Sequence, residues 1–201
     1  MWMFLATEVL FFGGLFGAYT TYRLWYPAEF EFASSMLNRY IATINTLFLV
    51  TSSLTMTLAI RSAKLGDRKW LLRYLLITFA FGAAFMVLKG FEYAADFREG
   101  ILPGYASFGG EIKEGAEHRG LDTGKVRLFL CFYYIMTGIH GIHILVGLGC
   151  ILWLVQQTCA NKIPPENYST VEVVSLYWHL VDAIWLFLMP LLYLAGAGLH
   201  H

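Results

Sequence analysis

The sequence predicts an all-α fold: a polytopic membrane bundle of five transmembrane helices that forms a single domain over residues 1–201. The chain is 58% hydrophobic and only 14% charged, with a mean hydropathy of +0.58, which is too apolar for a soluble domain of this length. Its long apolar runs reach the ~18 residues expected of a membrane-spanning helix. They do not alternate over ~10-residue segments as the strands of a membrane β-barrel do.

Five segments are predicted to cross the membrane. Each supplies the ~20 residues of helix that cross ~30 Å of hydrocarbon. As far as Tyr22 the first is interrupted only by Glu8, the second contains no charge, and the fourth has none after Arg127. A long glycine-rich connection, residues 94–125, separates the third and fourth. The predicted spans are approximately 2–24, 40–60, 70–93, 127–155 and 173–197.

Basic residues in the short loops predict the orientation. The connection after the second span is rich in Lys and Arg, whereas the loop at 27–38 has Glu29 and Glu31 and neither Lys nor Arg. Basic short loops stay on the cytoplasmic side. We therefore expect a cytoplasmic N-terminus, a periplasmic C-terminus and an outer location for residues 94–125. The basic residues are Arg61, Lys64, Arg68 and Lys69.

Charge and cysteine usage exclude several classes of function. The formal net charge is zero, so nothing indicates a nucleic-acid partner. Cys131, Cys150 and Cys159 show no CxxC spacing, so a zinc or redox site built from them is not expected. Buried, inert thiols within or beside the fourth span are the favoured interpretation.

Ionisable residues inside the apolar segments are the candidate functional residues. An ionisable group near the bilayer centre costs at least ~2.5 kcal/mol, so it normally faces protein or water and has a function. At ~1.5 Å per residue, Glu8 lies about 10–12 Å from the inner end of its span. On the same basis His179 and Asp182 lie about 9–14 Å deep, and His143 about 18 Å. Glu8, His179, Asp182 and His143 are therefore predicted to share a layer in the inner half of the bundle, and His140 is a further ionisable residue of the fourth span.

Three interpretations of this layer remain open. His140 and His143 share one helical face and would ligate a haem or a metal; alternatively, Glu8 and the histidines form a proton or ion path. In the third, favoured interpretation the groups pair to specify helix packing and to dock against another membrane protein. It predicts a Glu8–His143 hydrogen bond, with His140 as the alternative partner, and it predicts that His179 or Asp182 faces another helix.

A separate pair is predicted near the outer boundary. Lys89 and Glu92 are spaced i,i+3, which places both on one face of the third span and favours a structural ion pair.

Four motifs, in this order, resemble subunit III of cytochrome c oxidase and related haem-copper terminal oxidases. They are TEVLFF at 7–12, KGFEY at 89–93, TGIHGIHILVG at 137–147 and YWHLVDAIWLFL at 177–188. The chain resembles the five-helix bacterial form, which lacks the two N-terminal helices of the seven-helix form. In the seven-helix form those helices open a cleft that holds phospholipid, so the resemblance leaves a bound phospholipid open. Lys89 stands where mitochondrial relatives tend to have Gln.

The resemblance implies a non-catalytic subunit of the bacterial cytoplasmic (inner) membrane that acts in aerobic respiration. Such a subunit has no active site of its own and binds neither haem nor copper, which lie in partner subunits. It packs directly on oxidase subunit I beside other subunits, stabilises the catalytic core and assists proton uptake by a proton-translocating cytochrome c or quinol oxidase. The resemblance also leaves open that the oxidase belongs to a respiratory supercomplex. Glu8 matches the family's carbodiimide-reactive membrane glutamate.

Other functions remain open at this stage. A subunit III-like partner of a nitric oxide reductase is the nearest alternative. An autonomous membrane haem or metal protein would use His140, His143 and His179. A small proton-coupled transporter would use Glu8 and Asp182, although the pseudo-repeats and broken helices typical of such carriers are not visible.

Overall fold

The described residues of the chain, 2–98, 110–160 and 168–193 of a computed structural model, form seven helices and no strand. Five of these helices are long and apolar enough to cross a membrane, which confirms the predicted all-α, five-span architecture. The spanning helices are α1 (Trp2–Trp25), α3 (Arg39–Lys64), α4 (Arg68–Arg98), α6 (Thr123–Cys159) and α7 (Ser169–Tyr193). Two short helices, α2 (Pro27–Ser35) and α5 (Gly110–His118), lie in the connections.

The helices differ from the predicted spans mainly at their polar ends. Apolar runs mark the length inside hydrocarbon, whereas a helix continues past it as long as its backbone bonds persist; α4 and α6 extend several residues beyond 70–93 and 127–155. The predicted connection at 94–125 is therefore partly helical, since it holds the end of α4, all of α5 and the start of α6. Its residues 99–109 lie outside the described part, as do residues 194–197 of the predicted fifth span.

The first connection, 27–38, also contains an unpredicted helix. Pro27 occupies the first turn of α2 and Glu29 is acidic in that turn, both of which favour a helix N-terminus. Phe30 and Phe32 are buried beneath it. The helix thus covers one end of the bundle instead of forming an open loop.

A tight turn makes α3 and α4 antiparallel neighbours. Gly66 has a φ of 70°, a left-handed conformation that glycine adopts without steric penalty. The Leu65 N–H donates to the Arg61 carbonyl at 3.1 Å, and Asp67 Oδ1 accepts from the Trp70 N–H at 3.3 Å. These bonds cap the end of one helix and the start of the next within three residues.

Helix α7 is the most buried of the five spans, and Trp178 anchors it. The Trp178 indole lies against Gly82 of α4 and Gly147 of α6, where a Cβ atom would approach it within 3 Å. Its Nε1–H donates to Ser52 Oγ of α3 at 3.1 Å. The missing side chains of the two glycines thus create the space in which three helices meet on one indole.

Helix α1 is the least buried span and is attached through a few specific contacts. The Tyr19 hydroxyl is completely buried and donates to the Leu191 carbonyl of α7 at 2.8 Å. Ser34 Oγ of α2 donates to the Leu192 carbonyl at 2.9 Å. These two hydrogen bonds attach α1 and α2 to the last described turn of α7.

Candidate functional site

Glu8 of α1 and His143 of α6 are in direct contact inside the membrane-spanning region. His143 Nε2 lies 2.9 Å from Glu8 Oε2, and each side chain is 18% exposed. The Phe12 ring packs edge-on against the imidazole, with ring centroids 5.5 Å apart. The Tyr177 hydroxyl of α7 donates to the His143 carbonyl at 3.0 Å. The pair therefore lies at the junction of α1, α6 and α7, at the edge of the bundle.

The second ring nitrogen defines the protonation states open to this pair. His143 Nδ1 lies 2.9 Å from the Ile139 carbonyl, and because a carbonyl oxygen only accepts, Nδ1 carries a hydrogen. Nε2 then either accepts a hydrogen bond from a protonated Glu8 carboxyl or, in an imidazolium, donates one to a carboxylate. Moving one proton across 2.9 Å interconverts a neutral and a charged pair without breaking the contact.

The predicted pair Lys89 and Glu92 lies within a larger buried cluster. Lys89 Nζ is 3.0 Å from Glu92 Oε2, and the two side chains are 9% and 4% exposed. The hydroxyls of Tyr133 of α6 and Tyr193 of α7 donate to Glu92 Oε1 at 2.8 and 2.6 Å. Lys89 Nζ also donates to the Tyr193 hydroxyl at 2.6 Å. Because each charge has several partners, this cluster joins α4, α6 and α7.

Two further tyrosines extend polar contacts toward the end of α4. The Tyr93 hydroxyl lies 2.5 Å from Thr137 Oγ1, and the Tyr134 hydroxyl donates to Asp96 Oδ2 at 2.9 Å. Together with the Lys89 cluster, these bonds fasten the second half of α4 to α6.

His140 does not take the alternative role of partner to Glu8. Its side chain is 1% exposed, and neither ring nitrogen has a hydrogen-bond partner in the described part of the chain. The imidazole stacks on Trp185 at 5.3 Å between centroids and meets Phe85 edge-on at 5.9 Å. His140 therefore packs as a flat ring between α4, α6 and α7. Glu8 contacts His143 and not His140.

His179 of α7 faces helix α3. Its Nδ1 lies 2.6 Å from Ser53 Oγ, and its Nε2 lies 3.4 Å from Thr57 Oγ1. The Thr57 hydroxyl already donates to the Ser53 carbonyl at 3.0 Å, so toward the imidazole it can only accept. Nε2 therefore carries a hydrogen, and in the neutral ring Nδ1 accepts the hydroxyl hydrogen of Ser53.

Asp182 lies one turn beyond His179 at the floor of a cleft between α3 and α7. The residue is 4% exposed, and neither carboxyl oxygen has a hydrogen-bond partner among the described residues. It lines a cleft of about 410 Å³ together with His179 and Ser53. Burying a polar group without a partner costs free energy in any apolar medium, and Asp182 shares this lack of a partner with His140 among the described residues.

The three histidines proposed as metal or haem ligands do not converge. His143 contacts Glu8, His140 packs against aromatic rings and His179 contacts serine and threonine hydroxyls. Within residues 2–98, 110–160 and 168–193, no three His, Cys, Asp or Glu side chains are arranged to hold a metal ion.

Sequence reasoning missed the polar residues that partner the ionisable ones. Tyr133 and Tyr193 complete the Lys89 cluster, and Ser53 holds His179. The chain contains 12 tyrosines, so tyrosine identity alone did not distinguish these two. The sequence pattern that could have identified them is a tyrosine at the same membrane depth as Glu92 on each of two neighbouring spans.

Known proteins resemble this chain over nearly its whole length. A family model described as cytochrome c oxidase subunit III matches residues 126–197. The chain is 31% identical over 191 residues to a probable cytochrome c oxidase subunit 3 of Mycobacterium leprae, covering 95% of this chain and 84% of that protein. It is 31% identical over 197 residues to a cytochrome c oxidase subunit 3 of Thermostichus vulcanus, covering 96% and 84%. It is 24% identical over 195 residues to a probable quinol oxidase subunit 3 of Staphylococcus haemolyticus, covering 97% and 87%.

Proposed function

This chain belongs to the cytochrome c oxidase subunit III family, and we propose that it packs directly on subunit I of a haem-copper terminal oxidase, stabilises the catalytic core and assists proton uptake. Its five apolar helices and its family make it a multi-pass protein of the bacterial inner membrane. Its proposed role is accessory, with haem and copper chemistry in the partner subunits.

The contact between Glu8 and His143 is the observation that carries the proton-related part of this proposal. A carboxyl and an imidazole 2.9 Å apart can exchange a proton between them. The pair is partly exposed at the edge of the bundle, so a neighbouring subunit or an ordered water can reach it. Membrane-embedded carboxyls and histidines of this kind commonly take part in proton relays.

The proposed orientation places this pair nearer the cytoplasmic side, from which protons are taken up. Arg61 and Lys64 end α3, and Arg68 and Lys69 begin α4, so four basic residues surround the turn at 65–67. The positive-inside tendency favours the cytoplasm for this turn. Because α1 begins on the same side of the membrane, Glu8 then lies about 9 Å from the inner end of its helix at ~1.5 Å per residue.

The test replaces Glu8→Gln in the assembled oxidase. Glutamine keeps the size of the side chain and one hydrogen bond to His143, but it cannot exchange a proton. We expect normal assembly and an unchanged haem spectrum, with slower proton uptake and severalfold fewer turnovers before activity is lost. Proton uptake is followed with a pH-indicator dye during turnover of the purified enzyme.

Glu172→Gln is the matched control. Glu172 pairs with Lys64 at 2.7 Å near the turn at 65–67, and both side chains are well exposed. An exposed pair of this kind contributes little, so the control should turn over like the wild type. Equal proton uptake and equal enzyme lifetime in the two variants would refute the role given to Glu8.

A further inference from the structure

A polar-floored cleft opens on the outer surface of the bundle between α3 and α7. Its volume is about 410 Å³, more than ten times the ~30 Å³ that one water molecule occupies in the liquid. Its rim is apolar and open to the surroundings, since Val50, Leu54 and Leu186 are 48%, 60% and 48% exposed. Its floor is formed by Asp182, His179 and Ser53.

Both carboxyl oxygens of Asp182 are buried, and among the described residues the hydroxyls that approach them belong to Ser52 and Ser53. One neighbouring hydroxyl, Ser53, lies 2.6 Å from the acceptor nitrogen of the neutral His179 ring. The other neighbour, Ser52, donates to the Leu49 carbonyl at 2.8 Å. A hydroxyl has one hydrogen, so both of these are already committed to other acceptors.

The position of Asp182 limits what can supply the missing donor. It lies 13 residues into α7, about 20 Å along the helix at ~1.5 Å per residue, and thus within the apolar layer. Hydrocarbon chains offer no hydrogen-bond donor there. Polar side chains of neighbouring helices do, and they form interhelical hydrogen bonds in membrane proteins.

We propose that the cleft between α3 and α7 receives a transmembrane helix of another oxidase subunit, which inserts a hydrogen-bond-donating side chain that contacts Asp182. The apolar rim with a buried polar centre has the anatomy of a protein interface. This inference rests on the proposed function, since it identifies the face through which the chain docks within the oxidase.

A photo-cross-linker at the rim tests the location. Benzoyl-phenylalanine replaces Leu186 in the purified assembled oxidase, and Val87 of α4 is the control position, 56% exposed. Both positions lie at similar depth, about 25 and 28 Å from the first residue of helices that begin on the same side. We expect the Leu186 position to form an adduct with a transmembrane segment of another subunit, identified by mass spectrometry, at least fivefold more often than Val87.

Replacement of the carboxyl tests the chemistry. Asp182→Leu removes the acceptor, and we expect at least a threefold smaller fraction of the chain to stay with the oxidase as detergent is raised. Asp182→Asn keeps one carbonyl acceptor and should be intermediate. The matched control is Asn45→Leu, which also removes a completely buried side chain that has no hydrogen-bond partner in the described part of the chain. Unfolding of each isolated variant verifies that the chain itself remains folded.

The possible outcomes separate this inference from the proposed function. If the oxidase subunits co-purify but adducts form only with lipid or detergent, or if the folded Asp182→Leu chain is retained like the wild type, the docking site is wrong while the subunit assignment stands. If no oxidase subunit co-purifies with the wild-type chain, both fail.

Discussion

Replacing Gly147→Ala tests the packing of α7 most sharply. A Cβ at Gly147 would lie 2.8 Å from both Cε3 and Cζ3 of Trp178, about 0.7 Å inside the ~3.5 Å at which carbon atoms pack favourably. On its other side the indole lies close to the backbone of α4, since a Cβ built on Gly82 would be 2.7 Å from its Cη2. The hydrogen bond from Trp178 Nε1 to Ser52 fixes the ring further.

The expected cost is the balance of two effects. Overpacking a well-packed site costs about 1–3 kcal/mol, whereas exchanging glycine for alanine within a helix stabilises it by about 0.5–1 kcal/mol. We expect Gly147→Ala to lower the free energy of unfolding by about 1–2 kcal/mol, which is roughly a 5- to 30-fold change in the folding equilibrium. Reversible unfolding by SDS in mixed micelles, followed by circular dichroism, measures this change.

Two variants make the result decisive. Gly149→Ala lies on the same helix with open space around the added methyl group, so it should be neutral or slightly stabilising. Combining Gly147→Ala with Trp178→Phe removes most of the clash, and the two changes should therefore be less harmful together than their sum predicts. If Gly147→Ala is as stable as Gly149→Ala, the proposed clamping of Trp178 is wrong.

The remaining predictions concern the buried polar residues. Lys89→Met leaves the Glu92 carboxylate in the core without its cation, so it should cost about 3–5 kcal/mol of unfolding free energy, and adding Glu92→Gln should recover part of it; equal stability of wild type and single variant in SDS unfolding would contradict this. The exposed Lys64 provides the contrast, since Lys64→Met should leave the unfolding midpoint unchanged. His140→Phe should change stability by less than about 1 kcal/mol, because its ring makes aromatic contacts and, among the described residues, no hydrogen bond; a large loss in the same assay would reveal a polar role.

The spans were predictable from sequence because each needs a long apolar run, and such runs are rare outside membranes. The short helix α2 was not, since nine residues with two glutamates carry no span signal. Its Pro27 and Glu29 are nevertheless typical of the first turn of a helix. Tertiary packing stabilises α2, because Phe30 and Phe32 become buried only when the helices of the bundle come together.

The candidate site was predictable to the extent that depth and helical spacing determine contacts. The i,i+3 spacing of Lys89 and Glu92 is local, so their pairing follows from one helix. The contact between Glu8 and His143 joins residues 135 apart in the chain, and depth narrowed the choice only to His143 or His140. The rotation of α6 decides between them, and it is set by packing against α4 and α7.

The hydroxyl groups that lie near His179 and Asp182 could not be predicted from the sequence, for a related reason. Serine and threonine occur throughout α3, and their hydroxyls usually bond their own backbone. Only the structure distinguishes Ser53, which faces His179, from Thr51, whose hydroxyl donates to the Leu47 carbonyl.

The central claim is that this chain is an accessory subunit of a haem-copper oxidase. It is tested most directly by identifying the proteins that co-purify with the chain and by measuring haem absorbance. The chain is tagged at its C-terminus and extracted in mild detergent, and the optical spectrum and the co-purifying proteins are recorded together. We predict that larger haem-bearing chains co-purify in fixed ratio and that all haem absorbance is lost when they are stripped away. A chain that keeps haem absorbance or bound metal on its own would contradict this account.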